Sequence, residues 1–257
     1  TTPHPLALMI STCQISNEAK SEMFDDIISY IVRRAVCGLT YKNYNSVFLT
    51  MLRQLHDGGV NPTVLRKILS GLTGEASRWP IDGEFRSECL NGHLYYGRLE
   101  SGKMRAILTE LEGFLRAETR VEERIPPDLR DLDIDHIMPR SWFTHWPLGD
   151  GTFATSSELA EVEVLSRSGD ALSPRQRMIA DRQSRISTLG NLTLLNLSVN
   201  REAQHFAYVK KRDLLIANTN LRLNIPLIAL QAWGEAAVAK RGELLASAAL
   251  KVWPGQR

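Results

Sequence analysis

Cysteine is scarce in this chain of 257 residues, and so are long apolar runs and net charge. Cys13, Cys37 and Cys89 are odd in number, widely separated and without CxxC spacing. That pattern excludes a disulfide framework, argues against a zinc site and reads as free thiols of a reducing cytosol. No apolar run approaches the ~18 residues of a membrane span. A formal charge of only +2 excludes a global basic field, so a nucleic-acid partner would need positive charge gathered locally. Internal repeats and low-complexity tracts are absent. The start, Thr1-Thr2-Pro3-His4-Pro5, has neither Met nor the basic n-region of a signal peptide, and a fragment of a longer protein is expected. What is present is ordinary globular material: 43% apolar and 23% charged residues suffice for one large domain or two small ones.

Hydrophobic periodicity predicts a mainly α protein. Residues 18–37 place Met23, Ile27, Ile28, Ile31, Val32 and Ala35 on one side, with Arg33 and Arg34 projecting elsewhere as surface or salt-bridge residues. Tyr44 to Leu55 repeats the pattern and stops at Asp57-Gly58-Gly59, and Asn61-Pro62-Thr63 restarts it. A loop-rich patch follows, then a helix from Gly102 to Arg120. Pro126-Pro127 cannot continue a helix, so the boundary is drawn there: residues 1–125 as a helical region, 126–257 as a second domain. Beyond it the period changes to two, with Leu132 and Ile134 alternating with Asp133 and Asp135 in a short strand. Leu189 to Leu195 reads as a second strand or strand-like turn, a helix is expected from about Ser198 towards Leu215, and residues 226–250 form an Ala/Leu-rich terminal helix.

The chemistry concentrates in Asp133-Ile134-Asp135-His136-Ile137-Met138-Pro139, answered by Gly190-Asn191-Leu192-Thr193-Leu194-Leu195 and Asn200. An acid beside a histidine, with two asparagines nine residues apart, supplies a general base and oxygen ligands for a hard divalent cation. Phosphodiester hydrolysis requires an activated water, charge stabilisation and in-line positioning. His136, with an unperturbed pKa of ~6.5, can take the proton from water. Mg²⁺ (or Mn²⁺) keeps several waters, so one carboxylate and one amide oxygen can hold it, and Asp135 and Asn200 fit that role.

Strand, strand and helix carrying these residues resemble the HNH (ββα-metal) nucleases. The resemblance implies that Asn191 braces the loop behind His136, and it implies cleavage to a 5′-phosphate and a 3′-hydroxyl. Leu132 to Pro139, Leu189 to Leu195, Asn200, Phe206 and Lys210 are similar to the C-terminal nuclease domain of the GmrSD type IV restriction family. Tyr30 to Thr40 is similar to the helical region preceding it. The resemblance implies a helical region followed by a ββα-metal core with flanking C-terminal helices. It further implies a DNA endonuclease or nickase acting as the effector of an anti-phage restriction protein in the bacterial cytoplasm. Such proteins also carry an N-terminal nucleotide-hydrolysing domain with an Asp-Gly-Gln-Gln-Arg motif. That motif is absent here, so the domain is expected only as a partner elsewhere in the full-length protein.

Each residue has a plainer reading. Asp133, on the same strand face, competes with Asp135 as ligand. Asn200 can be a helix cap and Asn191 a turn residue. His205 is a poor helical match to Asn200 and is expected to face solvent. His145 and the tryptophans Trp142 and Trp146 are expected to pack or anchor a loop. Arg140, Arg175, Arg177, Arg182 and Arg185, with Lys210 and Lys211, are candidates for phosphate contacts, against the alternative of a solvated face. A non-catalytic DNA-binding module and an RNA-cleaving nuclease remain the competing functions.

Overall fold

The computed structural model describes residues 2–119, 132–196 and 207–256. The chain divides into two units, Thr1–Glu88 with Ala249–Arg257, and Cys89–Ala248. The expected boundary at Pro126-Pro127 lies outside the described residues; residues 89–119 group with the second unit instead of the first.

In the first unit α1 (His4–Thr12), α2 (Asn17–Val36), α3 (Tyr44–Gly58) and α4 (Pro62–Ser70) pack around Leu6, Ile10, Met23, Tyr30, Phe48, Met51, Leu55 and Leu65. The starts of α2 and α4 are chemically fixed. Ser16 and Asn61 accept from the amides of Ala19 and Val64, and Pro62 sits in the first turn, where its missing N–H costs nothing. Arg33 and Arg34 correct the expectation of a surface position, because both are fully buried. Arg33 donates to Trp253 O (2.7 Å), Pro80 O (2.9 Å) and Asp82 Oδ1 (2.5 Å). Arg34 donates to the carbonyls of Arg78, Thr40 and Ala76. The planar guanidinium fork satisfies loop carbonyls that no secondary structure reaches.

α5 (Asp82–Asn91), in the patch read as loop, and α11 (Glu235–Val252) contribute residues to both units. The second unit holds α6 (Ser101–Glu118), β1 (Leu132–His136), α7 (Ser156–Ser168), α8 (Pro174–Arg185), β2 (Leu192–Asn196), α9 (Tyr208–Asn218) and the single turn α10 (Ile225–Ile228). The mainly α class is as expected, and the one sheet among the described residues is the antiparallel pair β1–β2. Its register sets Asp135 opposite Thr193 and His136 opposite Leu192. The long connection between the strands is not loop. α7 and α8 form a helical pair, each opened by a reciprocal capping box, Thr155 with Glu158 and Ser173 with Gln176. Ile137, Met138, Trp142, Trp146, Leu195, Tyr208, Trp233 and Val238 belong to the core of this unit.

Candidate active site

β1 delivers Asp135 and His136 at its C-terminal end, and β2 is held against it by the turn before it. Gly190 is required in that turn: a Cβ there would lie 2.2 Å from Val238 O and 3.0 Å from Gly242 N, so α11 can approach only a glycine. Arg241 of α11, fully buried, donates to Gly190 O (2.8 Å) and Leu192 O (2.7 Å). Burial pulls its guanidinium down to about 9.

Asn191 closes the other side. Its amide donates to Met138 O (2.9 Å) and Ile186 O (2.8 Å) and accepts from Met138 N (2.9 Å) and Trp233 Nε1 (3.1 Å). Two donors and two lone pairs are thereby used, which leaves this side chain nothing for a metal or substrate. Ile137 N donates to Asn191 O (2.9 Å), extending the strand pairing past His136. The loop after His136 is therefore fixed to residues 186–191 through both backbone and side chain.

Asp135 and His136 are both buried. Lys211 Nζ of α9, itself buried, lies 2.6 Å from Asp135 Oδ2 and donates to the His136 carbonyl at 2.6 Å. The contact with Oδ2 is an ion pair rather than an aligned hydrogen bond. Burial pushes the Asp135 carboxyl above its ordinary range, opposed by the Lys211 ammonium beside it and by a hydrogen bond from the His136 backbone. Opposite it on β2, Thr193 donates to Asn224 Oδ1, and Asn224 donates to Leu194 O and Thr219 Oγ1. Asp133 is half-exposed and pairs with Arg105 of α6 at 3.0 Å.

The His136 imidazole lies against a pair of adjacent aromatic rings, Tyr95 and Tyr96, whose own centroids are 4.2 Å apart. Tyr95 and Tyr96 stack against it at 5.4 and 5.8 Å between ring centroids, and Nε2 is buried without a partner. Burial disfavours the imidazolium, and the charges of Lys211, Arg140 and His93 add to that, so its pKa is pushed down to about 3. The ring is neutral at pH 7, as a proton acceptor must be, though in this closed environment it is a weak one.

The structure corrects two of the basic candidates. Lys211 is buried against Asp135 and has no surface to offer a phosphate. Arg182 is also buried, donating to Glu235 (2.5 Å), Trp146 O (2.9 Å) and Pro147 O (2.7 Å), so it fastens the core. Arg175 and Arg185 are partly exposed and paired with Glu158 and Asp181. Arg140, Arg177 and Lys210 are exposed. Trp142 and Trp146 are in the core, whereas His145 is exposed instead of packed. Asn200 and His205, with Ser198 and Phe206, lie outside the described residues. Sequence reasoning missed Tyr95, Tyr96, Arg241 and the pairing role of Lys211. The adjacent tyrosines between Gly92 and Gly97 were the one available signal.

Among the described residues no group of three or more His, Cys, Asp or Glu side chains is placed to hold a metal ion. The donor chemistry of Asp135 nevertheless fits one ligand position, since Oδ2 is a buried acceptor without an aligned donor. No described helix is long and apolar enough to cross a membrane.

No curated protein and no solved structure matches the chain. A family model does, over residues 79–248, a stretch that contains both strands, the Asp135–His136 pair and Asn191. By that match the chain belongs to the family described as GmrSD restriction endonucleases, C-terminal domain.

Proposed function

We propose that this nuclease-family domain hydrolyses DNA by a one-metal HNH mechanism, nicking one strand per event, as the effector part of an anti-phage restriction protein. The supporting observation is that Asp135 and His136 end one strand of an antiparallel pair while Asn191, just before the other strand, bonds the loop after His136, within a chain of restriction-endonuclease family. His136 accepts the proton of the attacking water at Nε2, the nitrogen that has no other partner. Asn191 keeps the loop behind it rigid. Asp135 and Asn200 are the residues assigned to hold Mg²⁺ or Mn²⁺, which when bound would polarise the phosphate and neutralise charge on the leaving oxygen. Lys211 keeps Asp135 oriented and shares its charge, so any cation there binds in competition with an ammonium. Arg140, Arg177 and Lys210 are exposed, where phosphates can reach them, and Arg175 and Arg185 are partly exposed beside Glu158 and Asp181.

Purified protein with Mg²⁺ should convert supercoiled plasmid into open circles, and a chelator should stop it. His136→Ala should lower the nicking rate by about 10²–10⁴-fold while leaving the fold and DNA affinity intact. Normal nicking by that variant would remove the mechanism. One observation favours the competing, non-catalytic DNA-binding reading: the imidazole is covered in this conformation. Metal-independent DNA binding without cleavage of any DNA or RNA would establish it.

A further inference from the structure

The cover over His136 supports an inference that rests on the nuclease reading above. It is built on Gly92-His93-Leu94-Tyr95-Tyr96-Gly97, a tight loop pinned by Leu94 N donating to Ser187 O at 3.0 Å. Gly97 is obligatory, because a Cβ there would lie 2.2 Å from His93 O. Tyr96 is the one non-glycine residue at positive φ (61°) among the described residues, a left-handed conformation that a bulky side chain adopts only under constraint. The residue is also 61% exposed, an unusual place for a large aromatic group on so strained a backbone.

That ring nevertheless has three neighbours, the Tyr95 ring with its centroid 4.2 Å away, the His136 imidazole and the Arg140 guanidinium. One face lies against His136, nearly parallel at 12°, and Arg140 sits over the ring with its guanidinium carbon 4.6 Å from the centroid. Guanidinium, phenol and imidazole are thus in successive contact, from an exposed cation to the buried base. A general base must come within hydrogen-bond reach of the water it deprotonates, and Nε2 has no exposed surface. Beside the stack opens a cleft of about 780 Å³, lined by His93, Tyr96, Arg140, Arg167, Gln183 and Ser187 among others.

We infer that Tyr96 is a substrate-displaced cap of the active site: Arg140 holds the ring closed over His136, and a phosphodiester backbone entering the cleft draws the guanidinium away and lets the ring swing out. A charge-assisted, bidentate bond from arginine to phosphate is stronger than a half-exposed cation–π contact, so the exchange favours opening. The arrangement makes Tyr96 and Arg140 positioning residues: water and small esters meet a closed base, and a polyanionic strand opens it.

The test reads the ring and not the cleavage. Diethylpyrocarbonate modifies accessible imidazoles, and peptide mass spectrometry of the full chain without added metal gives the rate at His136 relative to exposed His145. Reactivity follows the open fraction, so Tyr96→Gly, which suits the positive φ, should raise that ratio by about tenfold. Tyr96→Phe keeps the stacked ring and should stay within about twofold of wild type. Inorganic phosphate, compared with chloride at equal ionic strength, should raise the ratio in wild type and leave Arg140→Gln unaffected. An unchanged ratio in Tyr96→Gly overturns the cap, with Tyr96→Ala as a second probe should the glycine variant misfold. No response to phosphate overturns the coupling through Arg140. The nuclease reading fails separately: a ring that opens as described, in a protein that never nicks plasmid, would retain the cap and remove the reaction.

Discussion

The two units bury charge in opposite ways. In the first, Arg33 and Arg34 vanish from solvent, and their forks end on backbone carbonyls of loops and on Asp82. In the second, Asp135, His136 and Lys211 are also buried, yet Asp135 Oδ2 lacks an aligned donor and His136 Nε2 lacks any partner. A buried charge whose bonds are spent on the main chain is scaffold; removing it breaks loops. A buried acceptor left open, with its cation and its aromatic cover supplied by other elements, is held ready for something else. Burial alone does not separate the two cases, and neither does an open bond, since Arg34 Nε in the first unit is also buried without a partner; what sets the second unit apart is an open acceptor on His136 next to the Asp135–Lys211 pair.

The comparison breaks first at Arg33. Arg33→Met strands the carbonyls of Pro80 and Trp253 in a buried setting, and removing one partner of such a network costs about 3–5 kcal/mol. For a chain of this size that is a fall in melting temperature of roughly 10 °C, read by calorimetry, with plasmid nicking below the transition unchanged. A loss of nicking in the folded variant would mean that this arginine is not mere scaffold. Lys211→Met is the matching test in the second unit. It leaves Asp135 without its ion pair and should cost about 3 kcal/mol, but here nicking should fall as well. A stable variant with full activity would show that Lys211 neither holds Asp135 nor matters to the site.

Sequence pattern made some of this legible and hid the rest for identifiable reasons. α2, α3, α4 and α6 announced themselves through apolar residues at helical spacing, and β1 through strict alternation. The Asp135–His136 pair and Asn191 were visible because so few residue types can do that chemistry. α7 and α8 are marked in the sequence only by the capping boxes Thr155-x-x-Glu158 and Ser173-x-x-Gln176, because their many charged residues mask the apolar spacing. Lys211 was misread for a simpler reason. Lysine is exposed by default, and only the fold supplies the carboxylate, 76 residues earlier, that permits its burial. Tyr96 was invisible because its importance lies in a backbone angle and a stacking partner, neither of which a sequence displays.

Arg182 and Glu235 provide the mildest test, because this pair lies between the two kinds of buried charge. Arg182 is spent on the carbonyls of Trp146 and Pro147, as a scaffold arginine is, but it also reaches the partly exposed carboxylate of Glu235 at the start of α11. Burial by itself would raise the Glu235 carboxyl; the hydrogen bond from Arg182, with smaller contributions from the backbone and from the charges of Arg182 and Arg185, outweighs it and leaves the pKa below its ordinary 4.5. A depressed folded-state pKa contributes stability above the unfolded value, and that contribution disappears as pH falls through the folded one. Glu235→Gln should therefore be less stable than the parent at neutral pH, by under about 1 kcal/mol because the carboxylate is partly screened by solvent. The difference should shrink as the pH drops below 4.5, when the parent carboxylate takes up its proton. Urea titrations at a series of pH values read this directly. A gap that stays constant through the acid range would mean that the glutamate contributes by packing, and that Arg182 is held by its two carbonyls alone.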